Sequence, residues 1–187
     1  FLRGAMKRKY RKDLAEKIFD EVITPFAGYG FNKSHAACYA RIAYETAYLK
    51  AHYPIEFMAA MLSADAGDTD RIALEISECR AMGIDVLPPD INESLASFTP
   101  HPSTSSGQGP GFIRFGLTAI KGVGESSVRE IIAVRERGGA FTTIEDFARR
   151  VPSRFLNKKF LEALAKAGAL DSLGDRSTFV AHYDLIA

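Results

Sequence analysis

Residues 117–132 read LTAIKGVGESSVREII, and the fold expected of the chain turns on them. They read as two helical pieces broken by Gly122-Val123-Gly124. The break is apolar and tight, not a polar loop. Glycines tolerate positive φ and close backbone approach, as two helices meeting at a sharp turn require. Val123 can tuck into the apolar face below. The second piece starts near Gly124 or Glu125, with Val128, Ile131 and Ile132 at helical spacing. The first N–H groups of such a helix lack intrahelical partners and carry the positive end of its dipole. An anion docks well there, phosphate most commonly. Lys121 adds a full charge beside the turn, and Arg129 and Arg135 follow along the helix. A packing turn with no ligand would use the same glycines.

More is specified here than a lone Gly-x-Gly. Ala119 and Ile120 precede the Lys-Gly pair, and the apolar helix positions and Arg135 follow it. The pattern resembles the helix-hairpin-helix motif, which grips DNA backbone phosphates without reading bases. That resemblance implies DNA binding by Lys121, Gly122, Val123, Gly124 and Arg129.

Composition bounds the rest. The 187 residues suffice for one large or two small domains. A hydrophobic content of 47% and a charged content of 25% are ordinary for soluble globular protein. The formal net charge is +1, so contact with a polyanion must come from local patches. Cys38 and Cys79 have no metal-ligand spacing and read as two buried thiols in a reducing compartment. No apolar run reaches membrane-spanning length and no signal peptide opens the chain, which predicts a cytoplasmic protein with no membrane partner. Phe1 is not a natural start residue, so the chain reads as a fragment.

The pattern along the chain is mainly α. Arg3, Lys7, Arg8, Lys9, Arg11 and Lys12 crowd the beginning, as a solvated helix face or as a strip facing phosphates. Residues 12–23 have helical spacing, which Pro25 and the following glycines should end. Ser34 should cap a long helix packed through Ala37, Tyr44, Ala47 and Tyr48. Pro54 suits the first turn of the next helix. Asp68 or Thr69 caps a third, with Ile72, Ile76 and Cys79 on one side and Gly83 as the stop. Short extended pieces follow in residues 84–92, 95–100 and 111–117. Between the last two, HPSTSSGQGPG (residues 101–111) reads as a mobile surface insertion. Helices are expected again in 141–151, 156–174 and 175–186. The last two surround a glycine-containing turn that weakly echoes the first hairpin.

Asn32, Lys33, Ser34 and His35 form a second candidate site. They sit where a glycine-rich lead-in meets a helix start. Lys33 can hold a phosphate, Ser34 can cap and donate, and His35 can donate to phosphate or stack on a base. A capped helix with a surface histidine is the alternative. The run FAGYGFNKSHAACYARIAYETAYLKAHYPIEFMAAML (26–62), then ECRAMGIDVLPPDIN (78–92), RFGLTAIKGVGESSVREII (114–132) and AGALDSLG (167–174), is similar to bacterial replicative DNA polymerases of the polymerase III alpha family. The blocks match in order from about residue 14 to 180.

The resemblance implies a mainly α fold in three parts. These are the C-terminal part of the fingers (1–83), a connector with short strands and the insertion (84–116), and a helix-hairpin-helix DNA-binding module (117–187). It implies that Lys33, Ser34 and His35 face the incoming-nucleotide cleft. It also implies DNA primer-template, deoxynucleoside triphosphate, the sliding clamp and other replisome subunits as partners. The parent enzyme would be a DNA-directed DNA polymerase using Mg²⁺. Two-metal phosphoryl transfer needs clustered carboxylates, and no Asp-x-Asp with family context occurs here. Asp85, Asp90 and Asp171 read as turn and cap residues. The chain should therefore be inactive alone and bind no Mg²⁺. The basic opening is shorter than the family's usual stretch, and the 101–111 insertion is unfamiliar and has no assigned role.

Two other classes compete. One is a non-catalytic helix-hairpin-helix module of a repair or scaffold protein. A repair glycosylase would want a catalytic Asp or Lys soon after the hairpin, and residues 135–139 (RERGG) offer none. The other is a structural helical domain without a ligand.

Overall fold

A computed structural model describes residues 1–27, 33–101 and 111–182. Most of the glycine-rich lead-in, Asn32 included, and residues 102–110 of the insertion lie outside the described residues. The chain divides into two compact units, residues 1–48 and 49–187.

The first unit holds α1 (Leu2–Lys7), α2 (Lys12–Ile18), a π-helical turn (Phe19–Ile23), α3 (Thr24–Ala27) and most of α4 (Lys33–His52). Part of the basic opening is paired locally. Arg11 bonds Asp13, and Lys12 lies 3.6 Å from Glu16. Such exposed pairs add little stability. Pro25 does not end the helix, contrary to expectation: helical backbone runs from Lys12 to Ala27. The π turn resets the hydrogen-bond register just before the proline, and the Thr24 hydroxyl donates to the Phe19 carbonyl at 2.8 Å. Ser34 is not the cap of α4 either. Lys33 and Ser34 both lie within α4 (Lys33–His52), so Ser34 is a helix residue.

No residue of α4 is buried. The packed face expected through Tyr44 and Tyr48 is therefore not formed; both rings are exposed, tilted to each other with centroids 6.2 Å apart. For the same reason Cys38 is exposed rather than buried.

The second unit has two apolar cores. One gathers Met58 and Leu62 of α5 (Pro54–Ala64), Ile72 and Cys79 of α6 (Thr69–Ala81), and Ile84, Phe98 and Ile113 of the sheet region. Pro54 opens α5, where its missing N–H costs nothing. The Asp68 carboxylate caps α6 by accepting from the N–H groups of Asp70 and Arg71 at 3.1 and 3.2 Å. Gly83, at φ +74°, stops it. The sheet comprises β1 (Asp85–Leu87), β2 (Thr99–His101) and β3 (Phe112–Arg114) in the order β1-β3-β2. β1 runs parallel to β3 with Val86 opposite Ile113, and β2 runs antiparallel to it with Pro100 opposite Ile113. Pro100 lies on an edge strand, where a residue without N–H does least harm.

The other core gathers Ile91, Leu117, Val128, Ile131, Phe147, Leu161, Leu164 and Leu170, all fully buried. These come from the 88–97 loop, a 3₁₀ turn (Leu117–Ala119), α7 (Glu125–Gly138), α8 (Ile144–Arg150), α9 (Lys158–Ala167) and the turn after it. Thr143 caps α8, Asn157 caps α9, and Gly168 ends α9 in the left-handed conformation, so the helix expected over 156–174 stops at Ala167. α10 (Arg176–His182) packs on α9, with Phe179 in the core.

Candidate nucleic-acid interface

The stretch at 117–132 folds as a turn and one helix, not as two α-helices. The first piece is the single 3₁₀ turn Leu117–Ala119, and the second is α7. The first piece is short because its backbone bonds sideways rather than along itself. Leu117 N–H donates to Leu95 O at 2.9 Å, and Thr118 N–H donates to Ala96 O at 3.1 Å. That close approach requires Gly116: a Cβ there would lie 2.5 Å from the Ser97 carbonyl carbon and 2.7 Å from Ala96 O.

Between the turn and α7, each residue has one task. Ile120 and Val123 are buried in the core, and the Val123 N–H closes the turn on Ile120 O at 3.0 Å. Gly122 sits at φ +92°, in the left-handed region that favours glycine. Gly124 differs: its φ and ψ of −82° and 146° suit any residue, and a Cβ there would meet open space. Among the described residues, the N–H groups of Gly122 and Gly124 have no hydrogen-bond partner. Gly124 also leaves the start of α7 without a side-chain cap. Lys121 is exposed beside this row of donors. The hairpin thus presents unpaired N–H groups, a helix N-terminus and a cation on one short segment held from beneath by apolar side chains.

Arg129 stands one turn into α7, where its guanidinium bonds the Glu125 carboxylate at 2.5 Å; both side chains are exposed. Arg135 has a different role. Its Nη1 donates to Ile91 O and Ser94 O, each at 2.9 Å, and burial lowers its pKa from the usual arginine range. It ties α7 to the 88–97 loop.

That loop braces the interface more than the sequence indicated. The Asn92 side chain bonds both backbone groups of Phe141, at 2.9 and 2.7 Å. The buried Ser94 hydroxyl donates to Phe115 O at 2.7 Å, and Ile91 N–H donates to Ala169 O at 2.7 Å. Arg150 donates to Val134 O at 3.0 Å and Gly139 O at 2.8 Å, and lies 4.5 Å over the Phe141 ring. It also holds the Asp146 carboxyl below the usual carboxylate range. The periodicity of α7 and α8 gave no sign of these pins, because a long-range side-chain bond to a carbonyl has no local signature. The glycine at 116, set among strand residues, was the one available cue.

Lys33, Ser34 and His35 are consecutive residues of α4, in the other unit, and all are exposed. The His35 ring meets Tyr39 edge-on, one helical turn away, with centroids 4.4 Å apart. The structure keeps these three side chains together on one helix. Among the described residues, no group of three or more His, Cys, Asp or Glu could hold a metal ion.

The family described as helix-hairpin-helix motif matches residues 83–179, from the end of α6 into α10. The chain belongs to the helix-hairpin-helix family. The match begins well before the hairpin and takes in the sheet and the bracing loop as well as α7 to α9, in keeping with their shared hydrogen bonds. Nearly the whole chain of this helix-hairpin-helix protein is also similar to DNA polymerase III subunit alpha from several bacteria. The Thermus aquaticus subunit is 49% identical over 181 residues, 97% of this chain and 14% of that protein. The subunit from Neisseria meningitidis serogroup B is 48% identical over 186 residues, 99% of this chain and 16% of that protein. The Borreliella burgdorferi subunit is 48% identical over 185 residues, 98% of this chain and 15% of that protein. The chain therefore spans a small part of the length of these relatives.

Proposed function

We propose that this chain is the part of a bacterial replicative DNA polymerase that grips duplex DNA by its backbone and contributes to the incoming-nucleotide cleft. The observation that carries the first half is the hairpin itself: unpaired N–H groups at Gly122 and Gly124, open space at Gly124 and exposed Lys121, on a family-matched scaffold. These groups hold one or more phosphates, with Val123 as the buried anchor. Arg129 joins them by exchanging Glu125 for a phosphate oxygen. Such contacts position a duplex and read little sequence. Similarity to the polymerase subunits over almost the whole chain supports the polymerase context.

On this reading residues 1–83 end the fingers, 84–116 connect, and 117–187 bind DNA. Lys33, Ser34 and His35 face the triphosphate. Mg²⁺ and its aspartates belong to other parts of the enzyme, so this chain alone has no polymerase activity. Its partners are primer-template DNA, deoxynucleoside triphosphate, the sliding clamp and other replisome subunits, in the cytoplasm. No helix among the described residues is long and apolar enough to cross a membrane.

Duplex binding is tested by titrating fluorescent duplexes of unrelated sequence with the chain and its Lys121→Glu variant. The expected result is weaker binding, by about tenfold and to a similar extent on every sequence, with a shallower salt dependence. Unchanged binding leaves the hairpin as packing. The nucleotide role is tested by Lys33→Ala in a polymerase that carries this segment. The expected result is a raised KM for the nucleotide, whereas an unchanged KM with normal turnover overturns that role.

A further inference from the structure

The hairpin does not stand alone on its side of the unit. A Cβ built on Gly122 would lie 3.8 Å from the Ala163 Cβ, so the turn rests against α9. Residues four before and three after Ala163 share its stripe of the helix. These are Lys159 and Lys166, both exposed. The opposite side of α9 is fixed by Phe160, Leu161, Leu164 and Ala165, all buried in the core. The rotation of α9 is therefore set, and the two lysines line the stripe that adjoins Gly122.

The two lysines differ in their surroundings. Lys166 bonds Glu162 at 2.6 Å and is the main cause that holds the Glu162 carboxyl below the usual carboxylate range. Lys159 lies in the first turn of α9 and also helps to lower the Glu162 carboxyl, but less than Lys166 does. A lysine acts on phosphate as a compact point charge on a flexible stem, which suits a backbone contact that reads no sequence.

We infer that Lys159 is a second phosphate-binding residue, extending the footprint of the Gly122–Gly124 hairpin along α9 on the same duplex. The inference rests on the duplex-binding reading of the hairpin. Ala163 is the contact that joins the two, and Lys166, bonded to Glu162, contributes less.

The test is the salt dependence of binding to one duplex by the chain and its Lys121→Ala, Lys159→Ala, Lys166→Ala and doubly substituted Lys121→Ala/Lys159→Ala variants. Thermal melts confirm that each variant folds. Each lost phosphate contact lowers the log–log salt slope by about 0.9. The inference expects that fall for Lys121→Ala and for Lys159→Ala, about twice the fall for the pair, and a smaller change for Lys166→Ala. A wild-type slope for Lys159→Ala beside a reduced slope for Lys121→Ala overturns the inference and leaves the hairpin reading intact. Wild-type slopes for both overturn the hairpin reading as well. Equal losses for Lys159 and Lys166 overturn the distinction drawn from Glu162, leaving nonspecific surface charge.

Discussion

The two cores of the second unit treat their polar groups in opposite ways. Around the hairpin, polar side chains that enter the core are bonded: Ser94 to Phe115, Asn92 to Phe141, and Arg135 and Arg150 to backbone carbonyls. In the α5–α6 core, Glu75 is only 6% exposed, and neither carboxylate oxygen has a hydrogen-bond partner. Burial raises its pKa first, and the neighbouring Asp65 raises it further; Arg71 opposes them. Cys79, fully buried one turn on, has its thiol pushed up to about 11, chiefly by burial. The difference teaches where rigidity has been placed. On the duplex-binding reading, these bonds hold the hairpin's N–H groups in place. In the α5–α6 core a costly buried acid persists.

The largest expected effect breaks the hairpin's side of this comparison. Gly116→Ala forces a Cβ against the backbone of residues 96–98, which have no flexible side chain to yield. The expected loss is about 3 kcal/mol or more, measured by denaturant unfolding. A loss below about 1 kcal/mol would mean that the scaffold tolerates slack. The next effect sharpens the other side. Glu75→Gln removes a buried group that at pH 8 must either hold a proton or carry a charge, and we expect a gain of about 1–3 kcal/mol. The sign follows from the raised pKa. The folded state keeps a proton that the unfolded state has released, so the native glutamate costs stability as pH rises through its folded pKa. Below 4.5, its ordinary value, both states are protonated and the gain should vanish. Destabilisation at pH 8 would instead reveal a cationic partner for Glu75.

The fold was legible in the sequence wherever one residue type has one local job. Asp68 as a cap, Gly83 as a stop and Pro54 at a helix start all formed as their chemistry demands. Legibility failed where a local signal was overridden. Pro25 was absorbed by a π turn that periodicity does not encode. The Leu117–Ala119 piece resembled a helix, but its backbone is drawn to residues 95 and 96, far off in sequence. The apolar and aromatic residues of α4 suggested a packed face, yet hydrophobic type alone names no partner, and none of them is buried.

The candidate site divides along the same line. Lys121, Gly122 and Val123 took the places that their residue types implied, whereas the sequence treated Gly122 and Gly124 as equivalent. The structure separates them: Gly122 is glycine for its positive φ, and Gly124 has a backbone that any residue could adopt. On the duplex-binding reading, the open space at Gly124 is where a phosphate enters.

Gly124→Val tests that directly, with unfolding and duplex binding measured on the same preparation. The fold should lose no more than the helix-cap difference, about 1 kcal/mol. Duplex affinity should fall about tenfold or more on every sequence, because the isopropyl group fills the space a phosphate needs. Wild-type affinity in the folded variant would contradict the account and leave the hairpin as a packing turn.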